Sequence, residues 1–420
     1  MEQPSVTPAA SAITAKGWSA VSALTLCVAT LIASEFMPVS ILTPIAQDLA
    51  ITEGTAGQAI AVSGFFALVT SLVISSLTRG IDRRTVLLSL TVTMMVSGIV
   101  VAFAPNATVF MIGRALIGIV IGGFWSMSAA TVMRLVPEDQ VPRALGILNG
   151  GNALAMTVAA PLGSFLGQYI GWRGAFFSVV PLAILTLVWQ FRTLPSMPSK
   201  RDGASGSVLG VLRRHQVPVG MLAVTGLFMG QFALFTYLRP FLERVTQVDV
   251  TTLSVILLVV GGAGLLGTYL IGFLLKDRLF GLLVGMPLAM AATAVGLIVF
   301  GQSPIATTAL LFGWGLIGTA APVAWWTWLS RTLPDDAEAG GGLMVAVIQM
   351  AITAGASAGG FLFDASGYAS TFGLSAVLLV ASALLAILAG RQARQAVGAG
   401  TDTAANDGRR ESISPATVGH

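Results

Sequence analysis

The sequence predicts an all-α integral membrane protein, with twelve transmembrane helices in two pseudo-symmetric six-helix bundles. Three observations carry that expectation. Of 420 residues, 55% are hydrophobic and 10% charged, where soluble domains average roughly 25% charged. The apolar residues gather in runs of about 20, the length that crosses a hydrocarbon core of about 30 Å. The basic residues fall on alternate sides of those runs, as the positive-inside rule requires.

The runs lie near 18–46, 55–77, 85–104, 107–131, 143–168, 172–194, 217–239, 250–275, 280–300, 305–330, 340–363 and 370–390. Residues 1–17 precede them as a cytoplasmic N-terminal segment, and 18–194 form the first bundle. A basic linker at 195–216 carries Lys200, Arg201, Arg213 and Arg214. Residues 217–390 form the second bundle, and the Ala/Gly/Thr/Asp-rich stretch 391–420 reads as a disordered cytoplasmic tail. With both termini inside, eighteen of the 22 Lys and Arg fall on the cytoplasmic side. Arg173, Arg239 and Arg244 fall outside, and Arg114 lies within a span. This composition places the chain in a membrane as a multi-pass protein. The single cysteine, Cys27, excludes a disulfide framework.

The two halves echo each other at an offset of about 195 residues. Asp82-Arg83-Arg84 after the second span matches Lys276-Asp277-Arg278 after the eighth, and Gly163, Gly167 and Gly171 match Gly359, Phe363 and Gly367. Parallel repeats of this kind place a substrate site between the halves, near mid-membrane.

Seventeen of the eighteen acids read as loop, linker or tail residues, and the exception is Glu35. An ionisable group inside a span is a functional candidate by default. Burial disfavours the charged form of a carboxyl, which suits a proton carrier. Glu35 lies seventeen residues past Trp18, so about 25 Å from the inner face, and Arg114 seven past Ala107, so about 10 Å from the outer face. The two share a depth within about one helical turn. A Glu35–Arg114 pair broken by protonation is one reading; an Arg114 anchor for helix-end carbonyls is the other.

The fifth span holds Pro161-Leu-Gly163-Ser-Phe-Leu-Gly167, a kink followed by a small-xxx-small face. With Arg114-Ala-Leu-Ile-Gly118-Ile-Val-Ile-Gly122 and Asp82-Arg83-Arg84, this pattern resembles the major facilitator superfamily, specifically its twelve-span drug:proton antiporter branch. The resemblance covers about residues 18–390. It implies proton coupling for Arg114 and a conformational role for Pro161, Gly163 and Gly167. The loop motif is degenerate, with Arg84 where the family has a second glycine. Longer runs, Glu35-Phe-Met-Pro-Val-Ser-Ile-Leu-Thr-Pro44 and Gly230-Gln231-Phe-Ala-Leu-Phe235-Thr-Tyr237 among them, resemble the branch's bacterial exporters of purine ribonucleosides. That resemblance implies proton-driven export of inosine, guanosine and thiopurine analogues.

A nucleoside is flat, aromatic, uncharged and rich in hydrogen-bonding edges, so its site needs amides and ring faces. The candidate amides are Asn149, Asn152, Gln231 and Gln349, and the candidate rings are Phe124, Trp125, Phe235, Tyr237, Trp325 and Trp326. Gating falls to Asp82, Arg83, Arg84, Pro161, Gly163, Gly167 and Asp277. Sugars or mixed hydrophobic drugs are the alternative cargo, since their sites use the same residue types. An enzyme is not expected: His215 lies in the linker and His420 ends the chain, so no base serves a membrane-embedded nucleophile. No Walker-type loop is present. The expected partners are the substrate, protons and the bilayer, with no metal, no other cofactor and no nucleic acid, and the chain is expected to act as a monomer.

Overall fold

The computed structural model describes residues 8–78, 80–198, 212, 216–333 and 337–411. Every regular element in them is helical. The crossings are span 1 (Lys16–Ser40), span 2 (Glu53–Ile74), span 3 (Arg83–Ala102) and span 4 (Ala107–Ser128). One stretch, Arg143–Thr193, runs 51 residues, about twice the length of a crossing. Gly171 breaks it at φ 72°, giving span 5 before the break and span 6 after it. The second half holds span 7 (Val217–Arg244), span 8 (Val250–Leu275), span 9 (Arg278–Phe300), span 10 (Pro304–Thr332), span 11 (Gly340–Ser366) and span 12 (Tyr368–Ala393).

Local chemistry explains several boundaries. Side chains of Thr52, Asp82, Asn106, Asp249 and Ser303 accept from the first backbone N–H groups of spans 2, 3, 4, 8 and 10, the ordinary job of an N-cap. Span 1 stops at Ser40, short of the expected 46, and a separate seven-residue helix covers Leu42–Asp48. Pro38 lies behind that break, because it removes a ladder N–H. Residues 391–411, expected to be disordered, extend the last helix to Glu411; the run Arg391-Gln-Ala-Arg-Gln-Ala396 consists of strong helix formers. Residues 199–211 and 213–215 of the linker, residues 412–420 and the Asp277 side chain lie outside the described residues.

The repeat suggested by the glycines is structural. Gly171 and Gly367, 196 positions apart, both take positive φ, at 72° and 78°. The short helix Leu42–Asp48 is answered at the same offset by Leu238–Arg244, also seven residues long. A Cβ on Gly118 would sit 2.3 Å from the Ser63 carbonyl, and one on Gly315 would sit 2.3 Å from the Val260 carbonyl. These two glycines bring span 4 against span 2 and span 10 against span 8. Outward faces carry large apolar side chains, with Phe361 74% and Leu77 70% exposed, surface that a bilayer covers.

The halves meet along spans 2 and 11 and along spans 5 and 8. The Ser357 hydroxyl donates to Gln58 Oε1 at 2.9 Å, and Thr353 donates to the Ala61 carbonyl at 3.3 Å. Between spans 5 and 8, Thr157 donates to the Gly261 carbonyl at 3.2 Å, and Ser254 donates to Ser164 at 2.9 Å. At the end away from the linker, Asp364 accepts from the Thr52 hydroxyl at 2.6 Å and from the Gly54 N–H at 3.0 Å. Arg244 pairs with Glu53 there, and Arg239 donates to the Ser40 carbonyl. Among the described residues, every hydrogen bond across the halves lies between mid-depth and this sealed end. Glu53 and Asp364, read from sequence as loop acids, occupy the terminal turns of spans 2 and 11.

Candidate functional site

Arg114 is fully buried, and span 4 delivers it to spans 1 and 2. Its Nη1 donates to the Ser34 carbonyl at 2.8 Å and its Nη2 to the Glu35 carbonyl at 3.0 Å. Nε donates to the Ala59 carbonyl at 3.2 Å, and Nη2 also reaches Ser63 Oγ at 3.2 Å. Four residues after Ser34 stands Pro38, which has no N–H to offer the Ser34 carbonyl. The guanidinium fills that vacancy. A buried polar group left without a partner costs about 1–3 kcal/mol, so the proline kink and the arginine belong together.

The structure thus brings Glu35 and Arg114 together, but through the backbone of Glu35. Among the described residues no hydrogen bond or ion pair reaches the Glu35 carboxyl, although the residue is only 4% exposed. The expected carboxylate–guanidinium pair is absent from this conformation, because four oxygens of spans 1 and 2 already hold the guanidinium. That is the anchor reading of Arg114.

The expected substrate residues separate. Gln349 is 6% exposed, and its Oε1 has no partner. Gln231 donates through Nε2 to the Gly318 carbonyl at 3.3 Å, and its own Oε1 is buried without a partner. Phe235 is half-buried and rests edge-on against Phe232, with ring centroids 6.3 Å apart. Asn152 is half-buried, whereas Asn149 is exposed and turns its amide onto its own helix at the Leu145 carbonyl.

Several rings serve packing instead. Tyr237 is fully buried in the seal, donating to the Ala356 carbonyl at 2.8 Å and stacking on Phe363 at 5.2 Å. Trp325 is 1% exposed and packs edge-on against Trp328 at 5.4 Å, while Trp326 is 41% exposed. Helical spacing puts neighbouring residues about 100° apart, so the tryptophan run cannot share one face. Phe124 is a core ring at 1% exposed, and Trp125 is half-buried beside it at 6.2 Å.

The expected gating residues fall into two groups. Asp82 caps span 3 and binds the start of the linker, accepting from the Met197 N–H at 3.0 Å and from the Ser196 hydroxyl. Those bonds and the neighbouring Arg84 hold its carboxyl below the usual carboxylate range against the opposing pull of burial. Arg84 donates to the Phe191 carbonyl at 2.7 Å, and the Arg83 N–H donates to the Met197 carbonyl at 3.1 Å. These contacts join the first half to itself and to the start of the linker, and none of them reaches the second half. Pro161 lies inside the span 5 helix. A Cβ on Gly163 would come 2.5 Å from Ser40 Oγ and one on Gly167 2.7 Å from Ile41 Cγ2, so both glycines set span 5 against the break in span 1.

Sequence reasoning missed the polar seam itself. Gln58, Thr353, Ser357 and Asp364 join the halves, and each looks ordinary in isolation. Their signal was positional, since Gln58 and Ser357 interrupt otherwise apolar small-residue faces. A hollow of about 340 Å³ also opens at the sealed end beside Glu53, Arg244 and Asp364; none of the expected substrate residues lines it.

Two repeated six-helix halves, joined over a buried acid and buried amides and shut at one end, define a multi-pass membrane transporter. The chain belongs to the Major Facilitator Superfamily, whose pattern matches residues 24–344. It is 56% identical over 381 residues to the transcription regulatory protein OpdE of Pseudomonas aeruginosa, covering 89% of this chain and 94% of that one. It is 43% identical over 376 residues to the purine ribonucleoside efflux pump NepI of Escherichia coli K12, covering 90% and 95%. Among solved structures, a bacterial homolog of the human lysosomal transporter Spinster, inward-facing and unoccupied, superposes with a TM-score of 0.74 at 16% identity, covering 90% of this chain and 97% of that one. A D-xylose–proton symporter superposes at 0.69 and 16% identity, covering 88% and 97%. At such identity these two likenesses concern the fold alone.

Proposed function

We propose that this chain exports purine ribonucleosides in exchange for protons, by alternating access across a bacterial inner membrane. The observation that carries the reading is Glu35, a buried carboxyl without a hydrogen-bond partner at the depth where the halves meet. The relationship to NepI supports the cargo. The distribution of Lys and Arg supports placing both termini in the cytoplasm. On that orientation the seal formed by Asp364, Thr52, Gly54 and Tyr237 faces outward, and the structure is an inward-facing state.

The cycle then runs as follows. A nucleoside enters from the cytoplasm while Glu35 is ionised, and its N–H and O–H groups satisfy the open acceptors of Glu35, Gln231 and Gln349. The linker ends close and the Asp364–Thr52 seal parts. A proton from outside neutralises Glu35, which lowers the affinity for the nucleoside and releases it. The protonated protein returns inward and gives up its proton. Arg114 keeps the kinked segment of span 1 in place throughout, so that Glu35 stays at the joint. No covalent chemistry is involved.

Radiolabelled inosine in proteoliposomes with an imposed pH gradient tests this reading. Accumulation of inosine against its own gradient, abolished when the pH gradient is collapsed, is the expected result. Transport inhibited by sugars and not by guanosine would overturn the cargo, and inosine flux indifferent to the pH gradient would overturn the coupling.

A further inference from the structure

Glu35 and Gln231 are symmetry mates. They stand 196 positions apart, the offset that relates Gly171 to Gly367 and the helix Leu42–Asp48 to Leu238–Arg244. Their neighbours Phe36 and Phe232 are mates at the same offset, and those two rings touch across the halves with centroids 5.8 Å apart. A contact between equivalent residues can form only close to the pseudo-twofold axis, so positions 35 and 231 flank that axis from opposite sides.

A separate chain of contacts gives the same level. Arg114 bonds the carbonyls of Glu35 and Ala59, which puts those residues at one depth. Next to Ala59, Gln58 bonds Ser357 across the halves. Gly355 and Gly359, which bracket Ser357, abut the carbonyls of Met229 and Ala233 in span 7, where added Cβ atoms would come within 2.4 and 2.9 Å. Gln231 lies midway between Met229 and Ala233. Gln349, by contrast, lies eight residues before Ser357, about 12 Å away along the helix.

The hydrogen bonding is complementary as well. Gln231 spends an amide hydrogen on the Gly318 carbonyl, which turns its Oε1 into a fixed acceptor with nothing to accept. No hydrogen bond reaches the Glu35 carboxyl among the described residues, and Arg114 acts on it only as a nearby charge. Of the elements packed on this part of span 1, span 4 brings Arg114, span 2 brings Ala59 and Ser63, span 5 brings Gly163 and span 7 brings Phe232. The helix Leu238–Arg244 adds Arg239, held by the Ser40 carbonyl and Glu243. Arg114 and Arg239 are the cations bonded to this part of span 1, and both are occupied; the same elements also carry Glu243, paired with Arg239, and Glu53 and Arg244, paired with each other.

We propose that Gln231 Oε1 is the acceptor for the protonated Glu35 carboxyl when the halves draw together, and that a nucleoside's N–H and O–H donors compete with that proton for the same pair of acceptors. The inference rests on Glu35 being the proton carrier. When Glu35 binds a proton from water, the new O–H donates to Gln231 and joins the first half to the second. When the proton leaves, two acceptors face each other and repel. A substrate with two donors satisfies both. Proton and substrate are then mutually exclusive because they provide the same thing, a hydrogen for two oxygens, and exchange follows without a separate gate. Gln231 in this scheme binds the substrate directly and sets the proton affinity of Glu35.

The test is calorimetric binding of inosine to purified full-length protein across pH 5–9, for wild type, Gln231→Leu and Gln349→Leu. A hydrogen bond to the neutral carboxyl favours its protonated form. Removing the acceptor lets Glu35 ionise at lower pH, so the midpoint above which inosine binds should fall by about one pH unit in Gln231→Leu, a tenfold change in proton affinity. Gln349→Leu should weaken inosine binding without moving the midpoint. If Gln231→Leu binds too weakly to titrate, the inflection of melting temperature against pH in the ligand-free protein should show the same downward shift. An unmoved midpoint or inflection in Gln231→Leu, or an equal shift in Gln349→Leu, would overturn the proposal. Wild-type protein that binds inosine equally at all pH values would instead defeat the proton-carrier reading, and this proposal with it.

Discussion

Replacing Arg114 with leucine tests the pairing of kink and arginine. The substitution removes four hydrogen bonds and leaves the Ser34 carbonyl without a donor, since Pro38 cannot supply one. Bonds to a charged group are worth about 1.5–3 kcal/mol each, and an orphaned buried carbonyl costs about 1–3. The charge itself repays part of this, because burying it is expensive. A net loss of about 3–5 kcal/mol is expected, the range for breaking a buried charged network. The sharper prediction is a coupling. In a Pro38→Ala background the alanine N–H can serve the Ser34 carbonyl, so Arg114→Leu should cost about 1–2 kcal/mol less there than in wild type. Melting of the four proteins in one detergent closes the cycle. Additive effects, within about 0.5 kcal/mol, would refute the idea that Arg114 replaces the missing proline hydrogen.

Three further outcomes follow from the contacts. Gly122→Val should abolish folded protein in the membrane, since a Cβ there would lie 2.2 Å from the Ala67 carbonyl where spans 4 and 2 pack backbone to backbone; normal yield and melting temperature would contradict this. Asp364→Asn keeps the shape of the seal but loses the charge-assisted bonds from Thr52 and Gly54, so a cysteine placed at Ser357 should react several-fold faster with an impermeant maleimide added outside. Asp48 is held below the usual carboxylate range chiefly by its hydrogen bond from Arg173. Its contribution is therefore present above about pH 4 and lost as pH falls through the depressed value. The pair is half-exposed, with side-chain exposures of 39% and 46%, so screening limits it to under about 1 kcal/mol. Asp48→Asn should flatten the acid limb of the stability curve, lowering stability at pH 7 by under about 1 kcal/mol and leaving it unchanged at about pH 2.

Much of the fold could be read from sequence because a bilayer enforces simple rules. A crossing needs about 20 apolar residues, and basic residues mark the side, so runs and charges alone predict twelve spans. Glu35 and Arg114 stood out because an ionisable group in a span is rare. What remained hidden depends on direction around a helix. Trp325, Trp326 and Trp328 are neighbours in sequence, yet two are buried and one is exposed, and composition carries no information about which. Tyr237 looked like a substrate ring and belongs to the seal, because its hydroxyl finds the Ala356 carbonyl at a contact 119 residues away. The role of Pro38 was invisible for a related reason: a missing N–H matters only when another span delivers a donor to the carbonyl left over.

The central claim is that Glu35 carries the proton that drives export. Inosine flux in proteoliposomes, measured for wild type and Glu35→Gln both under a pH gradient and as inosine–inosine exchange without one, tests it most directly. The account predicts that Glu35→Gln, fixed in the neutral state that releases the nucleoside, loses accumulation driven by the gradient and exchanges inosine far more weakly than wild type. Wild-type accumulation in Glu35→Gln would contradict it.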